Sequence, residues 1–301
     1  MGPVTTAQTS GVAFLKGHGT ENDFVIVPDP DNAVELSAEA VTRLCDRRAG
    51  IGADGVLHVV RSAAHPDARH MADEAEWFMD YRNSDGSVAE MCGNGVRVFA
   101  RYLQRAGHAE AGEIAVATRG GVKNVHIAKP GPGSDEGQVT VSMGRPVLPA
   151  ASVTVTVGAR SWPAVNVDMG NPHAVAFVDD LDHAGTLYEA PAYGPAAVYP
   201  RGVNVEFVAD RGERHVAMRV HERGSGETRS CGTGACAVAV AAARRDGADP
   251  AVTGAPVTYT VDLPGGTLVI TERPDGVVEM SGPAVIVAEG RIAPELLEPR
   301  S

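Results

Sequence analysis

The chain has 301 residues, 44% hydrophobic and 21% charged, which is enough apolar material for two packed cores of ordinary domain size. A net charge of −12 with no basic block excludes a nucleic-acid backbone as partner, and no apolar run approaches the ~18 residues of a membrane helix. Four cysteines without CxxC spacing read as thiols, not as a disulfide framework.

The opening MGPVTTAQTS has neither the basic head nor the apolar stretch of a secretory signal; it reads as a frayed tail of a cytoplasmic protein. Strand-like runs follow, VAFLK and FVIV, and then a helix over Ser37 to Gly50, capped by Ser37 and carrying Ala40, Val41 and Leu44 on one face. After GVLHVV comes a second helix. It starts at the glycine-rich CGNG of Cys92, repeats Val96, Phe99, Ala100 and Leu103 at helical spacing, and closes at Arg105 and Gly107. IAVA and VKNVHI lead into a hydrophilic GPGSDEG at 131–137, which reads as a linker. QVTVSM, VTVTV and HVAMRV continue as sheet. A third helix begins at Cys231 and is apolar all round from Ala235 to Ala243, which implies burial on every side, until Arg244, Arg245 and Gly247 end it. VTYTV and TLVI complete the strand-like runs.

The second and third helices share a design, and other pairs recur in the same order. Cys92-Gly93-Asn94-Gly95 matches Cys231-Gly232-Thr233-Gly234 at an offset of 231 − 92 = 139, Asn22 matches Asn171 at 171 − 22 = 149, and Gly121 matches Gly266 at 266 − 121 = 145. Near-constant offsets argue for an internal duplication. Each half is then one sheet around one buried helix, and a cleft between two like halves is the expected active site.

Each half places one cysteine before the glycine-rich turn that opens its helix. A helix N-terminus carries unpaired N–H groups and about half a positive charge, which lowers the pKa of a cysteine there and suits a carboxylate. Two such thiols on opposite faces of one carbon, one deprotonated, remove a proton on one side and deliver one on the other. That inverts the centre. A lone buried cysteine is ordinarily an inert small hydrophobe, and Cys45 and Cys236, in an amphipathic and an apolar helix, read that way. The matched contexts of Cys92 and Cys231 point to chemistry instead. A metal site on Cys231 and Cys236 is not expected, since positions five apart on a helix diverge. Nucleotide motifs are absent, and none of the three lysines, Lys16, Lys123 and Lys129, lies in a glycine-rich phosphate-binding context, so the reaction is expected without pyridoxal phosphate or any other cofactor.

From about Phe14 to Ile292 the chain resembles the diaminopimelate epimerase family: GHGTENDF, NSDGSVAEMCGNGVRVFARYL, MGNPHAV, GVNVEF and HERGSGETRSCGTGACA stand in the family's order. The resemblance implies an α+β fold of two pseudo-symmetric domains, each a mixed, barrel-like sheet around a central helix. We assign them to 1–133 and 134–275, with a C-terminal tail at 276–301 returning to the first. It implies cofactor-free interconversion of LL- and meso-diaminopimelate, on the way to lysine and peptidoglycan, by a protein that forms homodimers and needs no nucleic acid or membrane. Carried over by position, Cys92 and Cys231 are the acid/base pair. His173 and Glu222 influence their proton affinities, and Gly93, Asn94, Gly232 and Thr233 form the backbone cradles. Asn22, Asn83, Asn171, Asn204, Glu222 and Arg223 contact substrate, a set suited to a zwitterion with two amino-acid heads. Departures are Glu21, where the family usually has glycine, Gly17 in place of a larger residue, and Gly55 in place of a polar one. The alternatives are a proline or hydroxyproline racemase on the same fold, which typically has histidine where Asn94 stands, and a thiol redox sensor.

Overall fold

The computed structural model describes residues 11–131 and 137–298, so the expected N-terminal tail and most of the expected linker lie outside the described residues. The chain divides into two compact units. One comprises 11–19, 23–129 and 284–298, the other 20–22, 130–131 and 137–283. Among the described residues no helix is long and apolar enough to cross a membrane.

The first unit opens with β1 (Val12–Gly19), which pairs with β2 (Asn22–Pro28). Helix α1 follows over Ala38–Cys45, with the Ser37 hydroxyl accepting from the Ala40 N–H at 3.1 Å. This helix stops well before the expected Gly50. The reason is local: the Asp46 carboxylate accepts from the Arg48 and Ala49 N–H groups, both at 2.7 Å, and the turn it makes replaces further helix. Strand β3 (Gly55–Arg61) runs parallel to β2 and antiparallel to β4 (Trp77–Asn83). Six successive β3 residues are buried because α1 packs against the strand, as does α2 (Gly93–Arg105), so no side chain faces water until Arg61. Strands β5 (Gly112–Thr118) and β6 (Gly121–Ile127) form a hairpin, with β5 parallel to β4.

The second unit contains β7 (Val139–Gly144), β8 (Val153–Val157), β9 (Arg160–Asp168), β10 (Pro172–Phe177), β11 (Ala192–Gly194), β12 (Asn204–Gly212), β13 (His215–Glu222) and β14 (Gly226–Thr228). Helix α3 (Gly232–Arg245) and the short α4 (Pro250–Thr253) come next, then β15 (Val257–Leu263), β16 (Gly266–Glu272) and β17 (Val278–Gly282). The alanines and valines of α3 let β9, β10, β12, β13, β15, β16 and β17 all approach it, so a helix with no polar face sits inside its sheet. Finally β18 (Val285–Ile292) returns to the first unit, antiparallel to β1. The return begins at Ala284 and not at 276, because Val278–Gly282 stays hydrogen-bonded to β16 and β7; the contiguous part of the first unit ends at Lys129 rather than 133.

One pairing scheme occurs twice. Parallel β2–β3, antiparallel β3–β4, parallel β4–β5 and antiparallel β5–β6 correspond to β10–β12, β12–β13, β13–β15 and β15–β16. Even the register is kept: Phe24 faces Gly55 and His173 faces Asn204, each partner 149 positions on. The fold is thus a sheet-dominated α+β duplication with few helices.

Charge is buried in the first unit at Asp80, which is wholly inaccessible. Its carboxylate accepts from Arg119 Nη1 at 2.8 Å, from Arg82 Nη2 at 3.0 Å and meets His58 Nδ1 at 3.3 Å, while His58 Nε2 lies 2.9 Å from Asp29. Burial alone would raise the Asp80 carboxyl, but the His58 hydrogen bond and the two guanidinium groups outweigh it and hold it well below the usual range. A carboxylate lowered on folding stabilises above its ordinary value of 3.8 and loses that contribution as the pH falls below it. We predict that Asp80→Asn, which leaves Arg119 with Asp67 and Arg82 with the Leu36 carbonyl but removes the buried carboxylate they share, costs about 3 kcal/mol in urea unfolding at pH 7, and that this gap between native and variant protein narrows below about pH 4.

Candidate active site

The first N–H groups of a helix have no intrahelical partner, so side chains, water or ligands must serve them. Cysteine does so in both units. Cys92 is the N-cap of α2, with φ −138° and ψ 117°, and its Sγ accepts from the Gly95 N–H at 3.5 Å. Cys231 caps α3 with φ −118° and ψ 109°, and its Sγ accepts from the Gly234 N–H at 3.3 Å. Sulfur thus stands where a Ser, Asp or Asn oxygen ordinarily caps. Gly93 and Asn94, and Gly232 and Thr233, occupy the first turns of the two helices.

The two thiols differ in their surroundings. Cys92 is half-buried and Cys231 is buried. Burial pushes the Cys231 thiol well above its ordinary value, the Glu222 and Glu206 carboxylates add to the rise, and the Thr233 hydroxyl and Gly234 N–H offset part of it. The lowering expected from a helix N-terminus is therefore overridden at Cys231. Burial also raises Glu222, with Glu206 adding to it and the Thr228 hydroxyl, which donates to Glu222, opposing. Burial likewise pushes the Cys45 thiol up, to about 12, inside the core of Val25, Val41 and Leu44.

Four of the residues singled out in the second unit form one network. His173 Nε2 lies 3.1 Å from Asn171 Oδ1, Asn171 Nδ2 donates to Thr233 Oγ1 at 3.3 Å, and Thr233 Oγ1 lies 3.6 Å from Cys231 Sγ. Asn204 Oδ1 accepts from the Arg223 N–H at 2.9 Å. The Arg223 side chain is exposed and donates from Nη1 to the Arg201 carbonyl at 3.0 Å. In the first unit, Asn83 ends β4 and donates from Nδ2 to Ser87 Oγ at 3.0 Å. Sequence reasoning misses Glu206. It is fully buried, its Oε1 is 2.6 Å from His173 Nδ1, and its Oε2 has no hydrogen-bond partner. Among the described residues no group of three or more His, Cys, Asp and Glu is arranged to hold a metal ion.

Asn22 sits on a turn that groups with the second unit. Thr20 and Glu21 precede it with φ of 50° and 62°, a left-handed pair of non-glycine residues. Their side chains explain how the turn is held: Thr20 Oγ1 lies 2.6 Å from Ser230 Oγ, and Arg229 donates to the Glu21 carboxylate and to the Pro264 carbonyl. The turn is thereby tied to the two residues just before Cys231. Glu21 stands where the family usually has glycine, which this conformation would favour. A left-handed L-residue costs about 1–2 kcal/mol and an exposed ion pair contributes about 0–1 kcal/mol, so strain outweighs the pair. We predict that Glu21→Gly leaves stability unchanged or raises it by about 1 kcal/mol, whereas Glu21→Ala, which keeps the strain and loses the pair, lowers the thermal midpoint; equal loss in both variants would overturn this balance.

A family model described as diaminopimelate epimerase matches residues 14–149 and 165–287. The diaminopimelate epimerase of Streptomyces coelicolor is 76% identical over 287 residues, covering 95% of this chain and 97% of that protein. That of Thermobifida fusca is 47% identical over 283 residues, covering 93% and 97%. Among solved structures, a PhzF-family phenazine biosynthesis protein of Bacillus anthracis is similar with a TM-score of 0.69 at 16% identity, over 94% of this chain and 99% of that one. A hydroxyproline epimerase of Agrobacterium vitis is similar with a TM-score of 0.67 at 13% identity, over 96% and 93%. Those two likenesses show the fold alone, while the sequence matches run through both cysteine motifs over nearly the whole length: the chain belongs to the diaminopimelate epimerase family.

Proposed function

We propose that this chain interconverts LL-2,6-diaminopimelate and meso-diaminopimelate without a cofactor, with Cys92 and Cys231 as the two proton-carrying groups. The observation that carries the reading is the matched placement of the two sulfurs as caps of equivalent helices. One thiolate takes the α-proton, the electron pair of the broken C–H bond is held as a carbanion delocalised into the α-carboxylate, and the other thiol delivers a proton to the opposite face. Each turnover leaves the two sulfurs with exchanged protonation. Backbone N–H groups at Gly93, Asn94, Gly232 and Thr233 suit the α-carboxylate, whose growing charge in the transition state they stabilise.

Selectivity for the longer substrate falls to residues that read its far end. We assign these to Asn22, Asn83, Asn171, Asn204, Glu222 and Arg223, with the Arg223 guanidinium as the fork for the distal carboxylate. His173 and Glu222 tune the thiols. The raised Cys231 thiol supports a resting enzyme with Cys231 as the acid and Cys92 as the base for the matching isomer. The same reading carries a homodimer in the cytoplasm, a compartment that suits four free cysteines.

Purified protein given LL-diaminopimelate in deuterated water, with nothing added, is expected to form the meso isomer with deuterium at the inverted α-carbon. Cys92→Ala and Cys231→Ala should each lower inversion at least about a hundredfold. A variant retaining a tenth of the native rate, or native protein that turns over proline in preference, would sink the assignment. Iodoacetamide at pH 7 should alkylate Cys92 ahead of Cys231, and Cys231 labelling should rise with pH because a raised thiol holds less thiolate at neutrality; peptide mass spectrometry after timed quenching reads both.

A further inference from the structure

The duplication allows each residue around one cysteine to be compared with its counterpart around the other. Around Cys92, the first-turn glycine is Gly95, and a Cβ built there would meet Leu57 Cδ2 at 3.2 Å, Cys92 Cβ at 3.4 Å and Phe24 Cζ at 3.6 Å. Around Cys231 the glycine is Gly234, and a Cβ there would meet Glu206 Oε1 at 2.9 Å and Cys231 Sγ at 3.2 Å. The strand registers make the two sets equivalent in position. Phe24 and Leu57 lie on β2 and β3, and 149 positions on lie His173 and Glu206 on the equally paired β10 and β12. Two apolar side chains in one half are thus replaced by a hydrogen-bonded Glu–His pair in the other, at the equivalent turn of the equivalent helix.

The replacement is costly unless it serves a purpose. Glu206 is fully buried, only its Oε1 is engaged, by His173 Nδ1 at 2.6 Å, and its Oε2 has no hydrogen-bond partner. A carboxylate half satisfied in a dry site is destabilising, and an apolar pair of similar volume, such as the first half keeps, avoids that penalty. What Glu206 adds is a carboxylate close to a helix N-terminus, where the backbone supplies positive charge. The groups facing the Cys231 sulfur are the Thr233 hydroxyl and Gly234 N–H of α3, Glu206 of β12 and Glu222 of β13, with His173 of β10 behind them.

We propose that Glu206, held by His173, is a positioning residue for the Cys231 thiol: it opposes the pull of the α3 N-terminus and keeps the Cys231 sulfur protonated at rest, whereas the equivalent positions beside α2 carry the apolar Phe24 and Leu57. The role of the thiols in turnover rests on the function proposed above. The effect of Glu206 on the Cys231 thiol does not, and it is measured without substrate.

The test is the pH dependence of iodoacetamide alkylation at Cys231, read by peptide mass spectrometry on the full chain. Glu206→Gln keeps the shape and removes the charge; alkylation of Cys231 at pH 7 is expected to accelerate at least about threefold and its pH curve to move down, with the Cys92 curve unchanged. The double variant Glu206→Leu with His173→Phe, which installs the first half's own pair, is expected to shift the curve the same way and provides a second packing should the single variant fold poorly. Labelling of the inaccessible Cys236 should stay absent, which separates a changed thiol from an opened core. An unmoved or upward-shifted Cys231 curve in either folded variant overturns the proposal. If the curve moves down while the native protein fails to invert diaminopimelate, the reading of the reaction falls and the role of Glu206 at Cys231 stands.

Discussion

The first-turn N–H groups of a helix have no partner within the helix, and where the helix is enclosed by its own sheet this constraint organises both halves of the molecule. The local solution is a sulfur cap followed by glycine. Sulfur is a weaker acceptor than the hydroxyl or carboxylate that usually caps, so the helix end remains under-satisfied and disposed to bind an anion. Burying the helix, a matter of packing, thereby creates the electrostatic site. The small residues of α3 follow from the same constraint, since sheet strands close around a helix only when its side chains are short.

Duplication yields two equal sites, but proton transfer across a carbon needs two unequal ones. In the reaction proposed above, one sulfur holds a proton at rest and the other does not. The second half departs from the first in polar content around its cysteine: Glu206, His173 and Glu222 gather there, and burial raises both Glu222 and Cys231. Similar backbones thus carry different side chains around equivalent helix ends, and under the proposed function this difference is what sets the Cys231 thiol's resting state.

The cysteine motifs and the helices they open are legible in the sequence because glycine-rich caps and apolar periodicity are local signals. The end of α1 is not, since the Asp46 side chain closes the helix through a turn of its own before the expected Gly50. Strands β4 and β12 escape a reading by pattern for a shared reason. Asp80 and Glu206 interrupt their apolar runs, and each is accommodated by partners distant in sequence, Arg119 and His58 for one and His173 for the other. Glu206 is within reach of sequence reasoning, because two residues beyond Asn204 on a strand is the same face. Glu21 is visible as a departure from the family, yet only backbone angles reveal that it sits in a glycine-like conformation.

The return of β18 to β1 also has a consequence for the order of assembly. The second unit is continuous in its described strands from β7 to β17, whereas the first lacks the second partner of its opening strand, the one on the side away from β2, until residues 285–292 have been made. On a ribosome, where chains emerge N-terminus first and domains usually mature in that order, the sequence of completion is reversed here. The half made first waits with an unpaired sheet edge, and such edges are aggregation-prone until covered. The last strand therefore acts as a clasp, and a chain cut short before it would lack the strand that covers that edge even with both cysteine motifs present.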